Sequence, residues 1–415
     1  MKRSTSAGPP PDGPADDADH ARSTRISCVP QKAGMDGARA LHSVVVVARD
    51  AAESAVRTFR RSVRATMPAV EVLRAAAGAL GHRVPADFSC AVLLDPATLL
   101  DTGGVHDSSF PDEVLPRMFE IEHVDHEGAD NLRALVARRA TVSVLSESAR
   151  DELPADTYYR DILRPLGMSD EMRVVLRHGP YVWGLLVWCR SGSAGFSAGD
   201  VAVARGLAAP VADAVRASLA LEGADFGDLP DAPGLTVVDG DHTIISSSPT
   251  AERWLNELQE SGVRGTRTPN TLRALVSHSM ANPERPARSC AFTRTGRWAA
   301  LHAWPLDGGR TAVSVGPAGL NDLIAVVLDV YGLTVREREV TEQVLRGRST
   351  KQIAASLHMS AYTVQDHLRA VFEKAGVGSR RELMSTIFTR HYQPRLGAAV
   401  DDGLVTDGRR RADRS

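Results

Sequence analysis

The 415-residue chain is poor in several things, and each shortage excludes a class of protein. Four cysteines, Cys28, Cys90, Cys189 and Cys290, lie far apart and form no Cys-x-x-Cys pair. That excludes a zinc ribbon and argues against a disulfide framework, so the chain reads as reduced and cytoplasmic. Long apolar runs are missing. Ser43–Ala48 falls far short of the ~18–20 residues that span a bilayer, and Asp213 and Arg216 interrupt the Ala/Leu/Val-rich stretch 206–222. Pro9, Pro10 and Pro11 stand where an export signal needs its apolar core. No membrane association is expected. The chain has no Gly-x-Ser-x-Gly elbow, Walker A loop or His-Glu-x-x-His motif. The expectation is therefore no catalytic residue, no cofactor and no bound metal.

Charge of one sign is also lacking: 49 basic against 51 acidic side chains leave a net −2, and lysine supplies only Lys2, Lys32, Lys351 and Lys374. A balance near zero argues against a nucleic-acid binder only if it is evenly spread. It is not. Residues 65–222 carry −8, whereas 346–381 carry +5. The contrast suggests a contact in which the acidic segment masks the basic one.

What is present divides the chain into segments. Residues 1–40, rich in Pro, Gly, Asp and Ser, cannot repay the entropy of ordering and are expected to be disordered; the same is expected of 394–415. Residues 41–64 are a helical lead-in. Val56, Phe59, Val63, Val70, Leu73 and Leu80 continue one helical pattern over 41–80, with Gly81 as its stop. Segment 65–222 reads as α+β. It has a strand at 88–94, a helix at 130–139, a strand at 141–145 and apolar runs at 173–177 and 182–189 joined by a hairpin loop. The helix 198–221 closes it, capped by Ser197 and Asp200. Residues 223–232 are a linker. Segment 233–318 opens with a hairpin turning at Asp239–His242, then a helix with Ala251, Trp254, Leu255 and Leu258 on one face, then strands at 289–293, 298–304 and 311–315. Trp183, Trp188, Trp298 and Trp304 are expected in the core, and Cys90 and Cys189 as small buried hydrophobes. The run Glu120–Glu127 holds His123 and His126 among acids. A solvated loop is the expected reading; a metal-dependent enzyme would need the run on a helix with further ligands.

Segment 320–393 carries the most information. Thr334 precedes Glu337, Ser349 precedes Gln352 and Ser379 precedes Glu382, three capping boxes that each mark a helix start. Ser360 is a fourth cap. Four helices are expected, at 335–346, 350–357, 361–375 and 380–391. The second and third are separated by His358-Met359-Ser360, a helix–turn–helix spacing. Ile353, Ala354 and Leu357, with Val364, Leu368, Val371 and Phe372, make the inner faces. The outer face of the third helix then presents Tyr362, Gln365, Asp366, Arg369 and Glu373. An α-helix fits the major groove, where Gln pairs with adenine, Arg with guanine and Asp accepts from cytosine. Arg348, Lys351, Lys374, Arg380 and Arg381 flank that face and suit phosphates. Asp366 has an alternative role, orienting Arg369 three residues on.

These residues resemble the LuxR-type (GerE-like) helix–turn–helix family. The likeness runs through Leu333-Thr334-Val335-Arg336-Glu337-Arg338-Glu339-Val340, Gly347-Arg348-Ser349-Thr350-Lys351-Gln352-Ile353-Ala354, Thr363-Val364, His367-Leu368, Lys374, Gly376-Val377 and Ser379-Arg380. Trp183-Gly184-Leu185-Leu186 with Gly195-Phe196-Ser197 resembles a GAF sensor. The hairpin followed by Ser248-Pro249-Thr250-Ala251-Glu252 resembles, more weakly, the start of a PAS domain. The resemblance implies a multidomain chain: α+β GAF-like and PAS-like sensors, then an all-α four-helix DNA-binding domain. It implies a transcription regulator on double-stranded DNA, base contacts from Gln365, Asp366 and Arg369, and phosphate contacts that include Tyr362 and Thr363. It also implies a homodimer through Leu383, Ile387 and Phe388, and an effector in the GAF-like segment, with RNA polymerase a candidate partner. The rival readings are a sensor without DNA binding and the metal-dependent enzyme.

Overall fold

The computed structural model describes residues 33–391, apart from 65, 107–109, 193–194, 222–228, 259, 262–267, 320–321, 323–325 and 327. The expected disordered ends lie outside the described residues, except that 33–40 are helical; most of the expected linker lies outside them too. The chain falls into two compact units, residues 1–43 and 44–415. The larger unit contains every strand among the described residues.

Helices α1 (Ala33–Ser62) and α2 (Ala69–Gly81) replace the single helical run expected over 41–80. Pro68 explains the break: it has no amide hydrogen to give, and it disfavours the helical conformation at Met67. The first sheet is built from β1 (Phe88–Leu94), β2 (Asp101–Val105), β3 (Val142–Val144), β4 (Met168–His178), β5 (Tyr181–Ser191) and the short β8 (Glu260–Ser261). Their order across the sheet is β3-β4-β5-β1-β2-β8. Every pairing is antiparallel except β2 with β8. Strand β5 sends Trp183, Leu186 and Trp188 into one core, against α2 and α6 (Ala198–Leu221), and Val182, Leu185, Val187 and Cys189 into another. Burial on both faces is why β4 and β5 read as continuous apolar runs.

The second face is covered by the short helices α3 (Leu115–Glu120), α4 (Leu132–Ala137) and α5 (Leu145–Ala149) and by π-helical turns at Ile121–Asp125 and Tyr159–Leu163. The expected helix 130–139 starts late because Asn131 caps it, its side chain accepting from the Arg133 amide. The run Glu120–Glu127 is not a solvated loop. It continues α3 as a π-helical turn, which aims Ile121 and His123 inward and leaves Asp125, His126 and Glu127 exposed. Among the described residues, no group of three or more His, Cys, Asp or Glu could hold a metal ion.

The second sheet is built from β6 (Gly234–Val238), β7 (Ile244–Ser247), β9 (Ala287–Phe292), β10 (Trp298–Leu306) and β11 (Arg310–Pro317), with helices α7 (Pro249–Asn256) and α8 (Asn270–Ala281). It runs β7-β6-β11-β10-β9, antiparallel throughout. Trp254 is fully buried under it, while Trp304 is 40% exposed, against the expectation of a core residue. The segments built on the two sheets share cores. Leu100, Leu115 and Phe119 pack with Trp254, Leu272 and Leu275, Phe292 joins the first sheet's core, and β8 pairs with β2.

Four helices follow: α9 (Val335–Leu345), α10 (Thr350–Ser356), α11 (Ala361–Ala375) and α12 (Arg380–His391). The segment ahead of them and α9 meet α6 and the β4–β5 hairpin. Arg216 Nη1 donates to the Val330 carbonyl at 2.7 Å, and Arg338 Nη1 donates to Asp329 Oδ1 at 2.6 Å and to the Tyr181 hydroxyl at 3.4 Å. This contact falls on α9 and the segment ahead of it. It does not mask α11, where Tyr362 is 74% exposed. Among the described residues no helix is long and apolar enough to cross a membrane.

Candidate DNA-binding surface

The helix starts follow from their caps. Thr334 Oγ1 accepts from the Glu337 amide and Glu337 Oε2 accepts from the Thr334 amide at 2.8 Å; Ser349 and Gln352 repeat the exchange. Ser360 Oγ accepts from the Thr363 amide at 3.0 Å. The third expected box is half formed. Ser379 Oγ accepts from the Glu382 amide at 3.1 Å, but the Glu382 carboxylate turns to the Gly378 amide. Each cap contributes ~1 kcal/mol. Helix α11 ends at Gly376, whose φ of 65° is the left-handed cap that suits glycine. The turn between α10 and α11 places His358 at φ 55°, where a side chain is strained.

Those ends fix how α11 rolls. Val364, Leu368 and Val371 are buried with Val340, Val344 and Ile353 in one core. The opposite face therefore carries Tyr362, Gln365 and Arg369 into solvent, with Asp366 half-buried. Arg369 Nη1 lies 3.3 Å from Asp366 Oδ1. This is the contact the alternative role of Asp366 requires. Arg348, Lys351, Thr363 and Arg381 are exposed around this face.

Two expected phosphate ligands have work inside the domain. Lys374 Nζ donates to Glu337 Oε2 at 2.6 Å, tying the end of α11 to the start of α9. Burial opposes the Glu337 carboxylate, but Lys374 and the Thr334 amide outweigh it and hold its pKa below the ordinary value. Arg380 donates to the Arg348 carbonyl and, at 3.5 Å, to that of Val344, closing the end of α9. The expected dimer contacts need correction. Leu383 and Ile387 are 1% and 3% exposed in the domain's own core, because α12 must cover α9 and α11. Met384 is what α12 turns outward, and the Phe388 side chain lies outside the described residues.

Comparison with known proteins falls on the same residues. Residues 332–387 match the GerE family model, described as bacterial regulatory proteins of the luxR family. The spore germination protein GerE of Bacillus subtilis is 42% identical over 50 residues, 12% of this chain and 68% of that one. The chain belongs to the LuxR family of bacterial regulatory proteins. Other LuxR-family relatives are longer. The monoamine regulon transcriptional regulator of Klebsiella aerogenes is 47% identical over 53 residues (13% of this chain, 23% of that one). The transcriptional regulatory protein UhpA of Escherichia coli is 43% identical over 56 residues (14% and 29%). The chain thus spans less than a third of the length of these two relatives. Among solved structures, the chain is similar to the VqsR ligand-binding domain of Pseudomonas aeruginosa, at 17% identity and TM-score 0.27, covering 43% of this chain and 96% of that one. It is also similar to the bacteriophytochrome RpBphP3 of R. palustris, at 12% identity and TM-score 0.28, covering 67% and 62%.

Proposed function

We propose that this LuxR-family chain is a sequence-specific, cytoplasmic transcription regulator that binds double-stranded DNA as a homodimer and is not an enzyme. Helix α11 enters the major groove. Gln365 and Arg369 read base edges, and Asp366 sets the Arg369 fork. Arg348, Lys351, Tyr362, Thr363 and Arg381 lie on phosphates, and α12 offers Met384 to the partner copy. The sensor comprises 65–222 and 233–318 and biases the 320–393 domain in response to an effector; RNA polymerase is the candidate further partner. The observation that carries this reading is the outer face of α11, polar and basic-flanked, left uncovered by every other described element.

The test is fluorescence anisotropy of the full chain on genomic fragments across a salt series. Binding whose logarithm falls linearly with log salt, with Arg369→Ala losing ~1–3 kcal/mol on the selected site and little on random DNA, is expected. Absence of binding at about 50 mM salt sinks the reading. Equal losses on both DNAs sink base reading by Arg369.

A further inference from the structure

The second face of the first sheet encloses a cavity of about 140 Å³ between β1, β5, α3 and the π-helical turn that follows it. Its walls are mostly apolar: Phe88, Phe110, Phe119, Met118, Leu185 and Val187. Phe88 and Phe110 meet edge to face at 5.7 Å, and Phe119 stacks on His123 at 5.8 Å. A lined cavity of roughly 150 Å³ takes a benzene-sized guest, and aromatic walls prefer a ring.

One end is charged. Arg173 Nε donates to Glu171 Oε1 at 2.5 Å and its Nη1 to Glu122 Oε2 at 3.0 Å. Glu171 is 1% exposed and Arg173 5%. Three carboxylates, Asp101, Glu122 and Glu171, line the cavity, and among the described lining residues Arg173 is the one guanidinium or ammonium. Burial pushes the Glu171 pKa up, and Arg173 opposes that rise. Burial takes His123 down to about 4, so its ring contributes no charge near neutrality. An entering anion meets three carboxylates against one guanidinium in a low-dielectric site, whereas an entering cation meets acceptors in excess of cations.

We infer that this cavity binds a small organic cation, a single aromatic ring bearing a protonated amine, with the ring among Phe88, Phe110 and Phe119 and the ammonium at Glu171 and Glu122. Asn270, at the start of α8, also lines the cavity. A guest therefore touches an element of the second sensor segment. This deepens the sensor half of the proposed function, and binding is measured without DNA so that its failure is separate from failure of DNA recognition.

The test is calorimetric titration of the full chain at pH 7 with benzylamine, benzyl alcohol and benzoate as probes. Benzylamine is expected to bind about tenfold or more tighter than either. Glu171→Gln should bring the amine to within about twofold of the alcohol, with alcohol binding kept. Val187→Phe, which fills the cavity, should abolish binding of all three while circular dichroism stays native. Benzoate or benzyl alcohol binding as tightly as benzylamine overturns the inference. So does unchanged benzylamine binding in a folded Val187→Phe, or no binding of any probe. If Glu171→Gln does not fold, the ranking of probes on the native chain and the filled variant still decide.

Discussion

Arg338→Met is the sharpest single probe of how the LuxR-type domain is held to the first sheet. Asp329 is 1% exposed, and its Oδ2 is buried without a hydrogen-bond partner. Arg338 serves its Oδ1 at 2.6 Å. Burial outweighs the help from Arg338 and Tyr181, so the Asp329 pKa rises from the ordinary 3.8 to about 6. A carboxyl whose folded pKa is raised contributes stability that is fully present below the unfolded value and lost as pH rises through the folded one. At pH 7 the native chain therefore already bears about 3 kcal/mol of this loss.

Removing Arg338 pushes the pKa higher still, and the carboxyl escapes by keeping its proton. Protonation caps the added loss. The cap is close to zero at pH 5, where Asp329 is neutral in both proteins, about 1 kcal/mol at pH 7 and about 3 kcal/mol at pH 8. The Glu342 contact at 3.4 Å adds ~0.2–0.5 kcal/mol at every pH. Urea unfolding of the native chain, Arg338→Met and the double variant Asp329→Asn/Arg338→Met at pH 5, 7 and 8 reads these numbers directly. The expected result is a deficit that grows with pH in the single variant, whereas in the double, which has no carboxyl to titrate there, the deficit shrinks by about 1 kcal/mol from pH 5 to 8 as the native chain takes its own loss. A deficit equally large at pH 5 and pH 8 would refute the reasoning, because the cost would then not lie in an unpaired carboxylate.

The same geometry sets four further outcomes. Lys374→Met should cost ~1–2 kcal/mol of stability through Glu337. In urea titrations that loss should shrink as pH falls below 4.5, because the carboxylate's pKa is held low. Lys351→Ala should leave stability alone and reduce the salt slope of DNA binding by ~1; an unaltered slope would remove Lys351 from the phosphate contacts. His358→Gly should raise the stability seen in thermal melts by up to ~1 kcal/mol, since glycine takes a positive φ without a Cβ clash. A lower melting temperature would show that the turn relaxes differently. His123→Gln should blunt acid unfolding: a histidine lowered from 6.5 to about 4 contributes stability present above 6.5 and lost between there and 4. Native and variant curves that fall in parallel over that window would exclude His123 as a source.

The LuxR-type domain is legible in the sequence because its signals are local. Thr334, Ser349 and Ser360 each bond an amide three residues on, and Gly376 caps the helix it follows. Spacing alone therefore locates the helices, and the 3.6-residue period locates the outer face of α11. What spacing does not tell is which polar residues are already engaged. Lys374 reads as a surface cation until Glu337, 37 positions away, is seen beside it. Leu383 and Ile387 read as a spare apolar stripe until α12 is seen to be needed over α9 and α11.

The region ahead of that domain is legible in its strands and not in its cavity, for the same reason extended further. The charged end of the cavity joins Glu122 to Arg173 across 51 positions, and strand β2, with two glycines among its five residues, has no periodicity to announce it. The run Glu120–Glu127 reads as solvated because acids outnumber apolar residues in it. A π-helical turn rotates Ile121 and His123 inward regardless, and its cavity-facing carboxylate is stabilised by a guanidinium on a distant strand. The latch is longer still: Arg338 reaches Tyr181 across 157 positions. Neighbouring residues on an α-helix point about 100° apart, so Glu337 and Arg338 hold different partners. Glu337 faces the end of α11 and Arg338 faces the sensor hairpin. One turn of α9 is thus bonded both to the β4–β5 hairpin and to α11, so a displacement of the hairpin that pulls Arg338 acts on the same turn that anchors Lys374.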